Sequence, residues 1–170
     1  AVTIVDDPNV EGGYGYYKYD NEGIKARRKF LYNNGIITEF LHNRETAAKL
    51  GIQSNGSARA SAYNREPLVR MSNTFLLPDE YIEEELFEDI KYGIFMKNFM
   101  EWNIDDKRLN QKYTGAECYL IENGKLTKPI WQPTLEITTP VLWKNVDAAA
   151  NNLEFHAGPC GKSQPMQQLP

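Results

Sequence analysis

Two asparagine-glycine turns constrain this chain more than anything else in it. Asn33-Asn34-Gly35 stands between Arg28-Lys29-Phe30-Leu31-Tyr32 and Ile36-Ile37-Thr38-Glu39-Phe40-Leu41, and Glu122-Asn123-Gly124-Lys125 follows Gly115-Ala116-Glu117-Cys118-Tyr119-Leu120-Ile121. A tight hairpin turn of the mirror-image type needs positive φ at both central residues, and Asn-Gly supplies it. Each turn therefore predicts two antiparallel strands. Further strands are expected over residues 2–5, stopped by Asp6-Asp7-Pro8, and over residues 16–19, which lead to the turn Asp20-Asn21-Glu22-Gly23. Others follow over residues 68–77, through Ile130, and over Leu135-Glu136-Ile137.

Helices are fewer. Asn43 is placed to cap a short one over residues 44–50, with Gly51 just past its end. Asp79 opens the one long helix expected, because Ile82, Leu86, Ile90 and Ile94 recur every fourth residue after it. Its glutamates suit a first turn and otherwise form a solvated face. A short helix is expected from Pro140 to about Asn151, with Leu142, Val146 and Ala149 or Ala150 inward. The class predicted is α+β: mostly antiparallel sheet built from hairpins, one long helix and short helices.

Composition narrows the function classes. Residues 1–170 read as a single domain without repeat, low-complexity tract or linker, with 41% apolar and 25% charged residues. A net charge of −4 argues against a nucleic-acid face. No apolar run is long enough to span a bilayer, and no signal peptide is seen. Two cysteines do not make a disulfide framework, and a reducing, cytoplasmic setting fits. The chain opens on Ala1 rather than methionine, which suggests a piece of a longer protein.

The chemistry rests on His42, His156, Cys118 and Cys160. Cys118 alternates with strand residues as a small core side chain does. His42 follows a hairpin strand and reads as a surface or edge residue. Cys160 lies in His156-Ala157-Gly158-Pro159-Cys160-Gly161-Lys162, whose proline and glycines exclude regular helix and central strand. Such a backbone can approach a metal or ligand closely. The same residues also make a plain turn with an incidental cysteine, and the local sequence leaves both readings open. His156 and Cys160 are two donors, short of the three a catalytic zinc takes from protein. On residue chemistry alone, no complete active site is present.

Several stretches, in order, resemble the carboxy-terminal part of the TldD/PmbA family, called modulators of DNA gyrase and understood as zinc metalloproteases. They are Val5-Asp6-Asp7, Asp20-Asn21-Glu22-Gly23, Arg70-Met71-Ser72-Asn73-Thr74-Phe75, Tyr92-Gly93-Ile94, Asn98-Phe99, the hairpin of residues 117–125, and Cys160-Gly161-Lys162. The resemblance implies an active site split along a longer sequence. An HExxxH helix, absent from these residues, would supply two histidines and a glutamate, and Cys160 matches the cysteine that is the third zinc ligand. It further implies a TldD-type catalytic subunit hydrolysing unfolded or small peptides, paired with a homologous partner subunit or a second copy. Gly158, Gly161, Lys162 and Asn73 are the candidate substrate-binding residues. These residues alone should be inactive.

The match has departures. Met100-Glu101-Trp102 stands where the family usually carries three glycines, and Arg59-Ala60-Ser61 departs from its Arg-Glu-Ser pattern, which leaves Arg59 without an assigned role. Two classes therefore stand: the cysteine-bearing part of a zinc peptidase, and a non-catalytic module that binds a partner subunit or client protein.

Overall fold

The computed structural model describes residues 2–169; Ala1 and Pro170 lie outside them. The chain gathers into two compact units, Thr3–Leu77 with the residues from Glu154 onward, and Pro78–Leu153 with Val2. In chain order the elements are β1 (Ile4–Asp6), β2 (Lys29–Asn33), β3 (Ile36–Ile37), α1 (Arg44–Lys49), β4 (Ala58–Arg59), β5 (Leu68–Val69) and β6 (Thr74–Leu76). They continue with α2 (Glu85–Glu88), β7 (Tyr92–Ile104), β8 (Asn110–Glu122), β9 (Lys125–Pro129), β10 (Thr134–Thr138), α3 (Thr139–Asn145), β11 (Cys160–Lys162) and β12 (Gln167–Leu169). All strand ladders are antiparallel. The α+β class holds.

The first unit is a four-stranded sheet in the order β3-β2-β1-β6, with two small two-stranded sheets, β4-β5 and β11-β12. The Asn34-Gly35 turn takes φ of 48° and 78° and joins β2 to β3 as its sequence demands. Asn43 caps α1: its side chain accepts from the Thr46 N–H, and the Thr46 hydroxyl accepts from the Asn43 N–H. Asp20 closes its own turn by accepting from the Glu22 and Ile24 N–H groups, and its second oxygen accepts from Ala58 at the start of β4.

At the centre of this sheet the register sets Asp6 opposite Lys29 on one side and Thr74 on the other. Cross-strand partners share a face, so the three side chains converge. Lys29 Nζ lies 2.9 Å from Asp6 Oδ2, and both side chains are fully buried. Asp6 also accepts from the Ser72 N–H, the Ser72 hydroxyl and the Thr74 hydroxyl, while Lys29 reaches the Ser57 hydroxyl at 3.3 Å.

The second unit is built on the long hairpin β7-β8, to which β9 and β10 add at different stretches of β8. Cys118, Leu120 and Ile121 of β8 are buried. Asn123 and Gly124 take φ of 51° and 75° in the turn to β9. Register shifts interrupt the β7-β8 ladder between Met96 and Glu101, where Met100-Glu101-Trp102 begins.

Three sequence expectations need correction. The long helix is absent: α2 spans four residues, and Ile94, the last of its stripe, belongs to β7. The acids that suggested a helix start also oppose its continuation, since Glu80 and Glu84, Glu84 and Glu88, and Glu85 and Asp89 are like charges four apart. Residues 92–96 instead gain a ladder along a thirteen-residue partner. The strand over residues 16–19 is reduced to one bridge, Tyr19 to Lys25. The strand over residues 68–77 is two short strands, β5 and β6, because residues 70–73 bend to meet Asp6.

Removing one member of the buried pair isolates the other charge. Lys29→Met should cost about 3–5 kcal/mol in urea unfolding, against about 1 kcal/mol for the cap variant Asn43→Ala. Equal costs for the two variants would show that the Asp6 charge is not uncompensated without Lys29.

Candidate functional site

The Asp6 carboxylate decides where residues 70–74 run. By taking the Ser72 N–H at 2.6 Å and the Thr74 hydroxyl at 2.9 Å, it holds this strip against the end of β1. Asn73 between them faces away and is itself tied, donating to the Asp7 carbonyl and accepting from the Gly15 N–H, both at 2.9 Å. Gly15 packs so closely on Ser72 that a Cβ there would lie 2.7 Å from its backbone. The Glu11-Gly12-Gly13-Tyr14-Gly15 loop and the strip thus form one wall.

Facing that wall is the segment that enters β11. Together they enclose a cleft of about 230 Å³ lined by Tyr14, Gly15, Met71–Phe75, Glu154, Phe155, His156, Gly158 and Cys160. Phe75 and Phe155 meet edge to face, with ring centroids 5.1 Å apart. Cys160 is exposed and free, and its thiol makes one weak contact, 4.0 Å from the Gly161 carbonyl. His156 Nε2 lies 3.8 Å from Glu154 Oε2, with both side chains solvent-exposed. The structure thus brings Cys160, Gly158, Asn73 and His156 to one cleft. Gly161 lies over the Met166 thioether, and Lys162 reaches back to donate to the Val69 carbonyl at 3.1 Å.

Cys160 sits in a strand, but one paired on a single side, to β12. Side chains tie this hairpin to the unit. Arg70, buried, donates through Nη2 to the Cys160 carbonyl. Gln167, also buried, accepts from the Ser61 N–H and hydroxyl and donates to the Glu66 carbonyl. Arg59, left without a role in the sequence, donates to the Met71 carbonyl at 3.1 Å and stacks over Tyr17. Burial, with the Asp6 and Asp20 charges nearby, pushes the Tyr17 phenol far above its ordinary range, so it stays a donor, here to the Gly56 carbonyl.

His42 is buried, which corrects its reading as a surface or edge residue. Its N–H donates to the Asn55 side chain, and its carbonyl accepts from the Ser54 hydroxyl and the Ser57 N–H. The loop after α1 folds back over it, a return that no local pattern announces. Among the described residues no group of three or more His, Cys, Asp or Glu is arranged to hold a metal ion. A thiol and an imidazole on one cleft suit zinc by donor type, but as part of a ligand set.

The chain matches the model of the PmbA/TldA metallopeptidase C-terminal domain over residues 1–167. It belongs to this family. A metalloprotease of Methanocaldococcus jannaschii is 40% identical over 161 residues, covering 95% of this chain and 36% of that protein. A zinc metalloprotease TldD homolog of Saccharolobus solfataricus is 29% identical over 145 residues, 85% of this chain and 32% of its own length. The chain thus spans about a third of the length of these relatives. The crystal structure of TldE from Thermococcus kodakarensis superposes with a TM-score of 0.75 at 17% identity, over 88% of this chain and 34% of that one. That likeness is one of fold.

Within this metallopeptidase domain the two thiols are opposites. Cys118 is buried in β8 beside Gly115, where a Cβ would stand 2.1 Å from its sulfur. Burial first, and then the Glu117 charge, push its thiol up. Alkylation of the folded chain near neutral pH should therefore modify Cys160 alone, with Cys118 reacting only on unfolding, as read by peptide mapping. Equal labelling of both in the folded state would contradict this placement.

Proposed function

We propose that this domain is the cysteine-bearing part of a zinc-dependent peptidase that hydrolyses unfolded or small peptides in the cytoplasm, with Cys160 as a zinc ligand. The observation that carries the reading is an exposed, free thiol at the rim of a cleft whose wall includes the outermost strand of a sheet. The remaining ligands would come from the HExxxH helix that the family resemblance implies, outside these residues. Bound zinc would supply a water acidic enough to attack at neutral pH and would polarise the scissile carbonyl.

The chain's own residues do the rest. A thiol on an exposed strand can close a site held from elsewhere, since the metal deprotonates a coordinating thiol. β6 is the end strand of its sheet, and the cleft runs along Thr74 and Phe75. An extended peptide added beside it would gain main-chain hydrogen bonds without sequence preference, which suits unfolded substrates. Phe75 and Phe155 give such a peptide an apolar floor, and Gly158 leaves open space around its Cα. Asn73 keeps the wall in place through Asp7 and Gly15. His156 is free to turn toward metal or substrate, being exposed on the same cleft. A homologous partner subunit or a second copy would complete the assembly. No described helix is long and apolar enough to cross a membrane.

Cys160→Ser in the full-length protein tests this at one atom. Serine keeps the volume, but its hydroxyl stays protonated and binds zinc poorly. Bound zinc by elemental analysis and cleavage of an unstructured peptide should both fall by far more than the 10–100-fold typical of an outer-sphere change, with elution on size exclusion unchanged. Full zinc and full turnover in this variant would remove Cys160 from the site.

A further inference from the structure

We propose that Arg70 is a positioning residue for the Cys160 thiol, a role that rests on reading Cys160 as a ligand. Arg70 is 5% exposed, and its guanidinium donates to the Cys160 carbonyl across ninety residues of sequence. The salt bridges of the described residues do not include it. Its Nε is buried with no hydrogen-bond partner. A buried cation without a carboxylate, with one donor unsatisfied, is a costly way to fill space. An apolar side chain of the same length would fill it better. What Arg70 provides and an apolar residue cannot is a donor at the carbonyl of residue 160.

That carbonyl belongs to the same residue as the thiol. Fixing its direction, together with the ladder pair from Cys160 to Leu169, sets the backbone from which the Cys160 Cα–Cβ bond projects. The other attachments act further along the hairpin: Lys162 holds the Val69 carbonyl, and Gln167 holds Ser61 and Glu66 from β12. Arg70 is also two residues from Ser72, which the Asp6 carboxylate anchors. The clamp therefore refers the thiol to the most deeply buried point of the unit.

The test uses the full-length protein with Arg70→Met, Arg70→Lys and Arg70→Gln. In metal-free Arg70→Met, amides of residues 158–169 should exchange with deuterium about tenfold faster or more, while those of β2 keep their protection. Zinc affinity should fall about 10–100-fold. Arg70→Lys, which keeps a donor at nearly the same reach, should recover most of both. If Arg70→Met does not fold, Arg70→Gln, whose amide is too short for the carbonyl, is read in its place. Unchanged exchange over residues 158–169 overturns the proposal, as does loosening spread equally over β1 and β2, or a Lys variant no better than Met. Cys160→Ser separates the two claims. Wild-type zinc in that variant overturns the ligand reading, while hydrogen exchange in the Arg70 variants still judges the clamp.

Discussion

The Asp6–Lys29 pair is the interaction on which the cysteine-bearing unit depends. Taking two charges fully out of water is expensive, and their attraction repays it only when the remaining lone pairs and protons are satisfied. Here they are met by the Ser72 N–H, by the Ser72, Thr74 and Ser57 hydroxyls, and beyond Ser57 by Asn55, which also receives the His42 N–H. One carboxylate thus joins β1, β2, the strip before β6 and the loop after α1. The pair also specifies register. A slip of β1 by one residue would move Asp6 to the other face, away from both Lys29 and Thr74. Apolar residues could stabilise this site as well, but would discriminate between registers less sharply.

From that buried charge the order propagates outward to the surface. Asp6 fixes Ser72 and Thr74; Asn73 between them fixes the glycine-rich loop through Gly15; Arg70, at the head of the same strip, holds the Cys160 carbonyl. The wall of the cleft and the thiol at its rim are therefore set by one strip of five residues. The family motif Arg70-Met71-Ser72-Asn73-Thr74 reads as a sequence of anchors, with Met71 lending its carbonyl to Arg59.

What was legible in the sequence is what local chemistry decides. Both Asn-Gly turns, the Asn43 cap and the Gly51 end form as expected, because each needs only a few adjacent residues. The stripe Ile82, Leu86, Ile90, Ile94 misled because β7 wins residues from 92 onward through a ladder with β8 that periodicity does not register. His42 misled for a similar reason: the segment that buries it arrives a dozen residues later and bonds to the His42 main-chain N–H and carbonyl. Cys160 stood out because glycine and proline around a thiol are visible locally. Arg70 did not, since a side chain reaching a carbonyl ninety residues away leaves no spacing to find. The only available signal was a charged residue directly after the apolar pair Leu68-Val69, in a strand that should otherwise be half-buried.

A ligand must be exposed to reach its metal and yet fixed to within a fraction of a bond length. These demands conflict for a thiol on a two-stranded hairpin, which is marginally stable in water on its own. The conflict is resolved by side chains rather than by further strands. Among the described residues β11 and β12 gain no third strand to cover the thiol, while Arg70, Lys162 and Gln167 hold main-chain groups on or around the hairpin. Cys118 shows the alternative: a thiol inside a multi-stranded sheet is placed as firmly, but burial raises its pKa and leaves no path to a metal. Position without burial is what the hairpin and its clamps supply, and under the proposed reading it is what suits the exposed cysteine, rather than the buried one, to a metal.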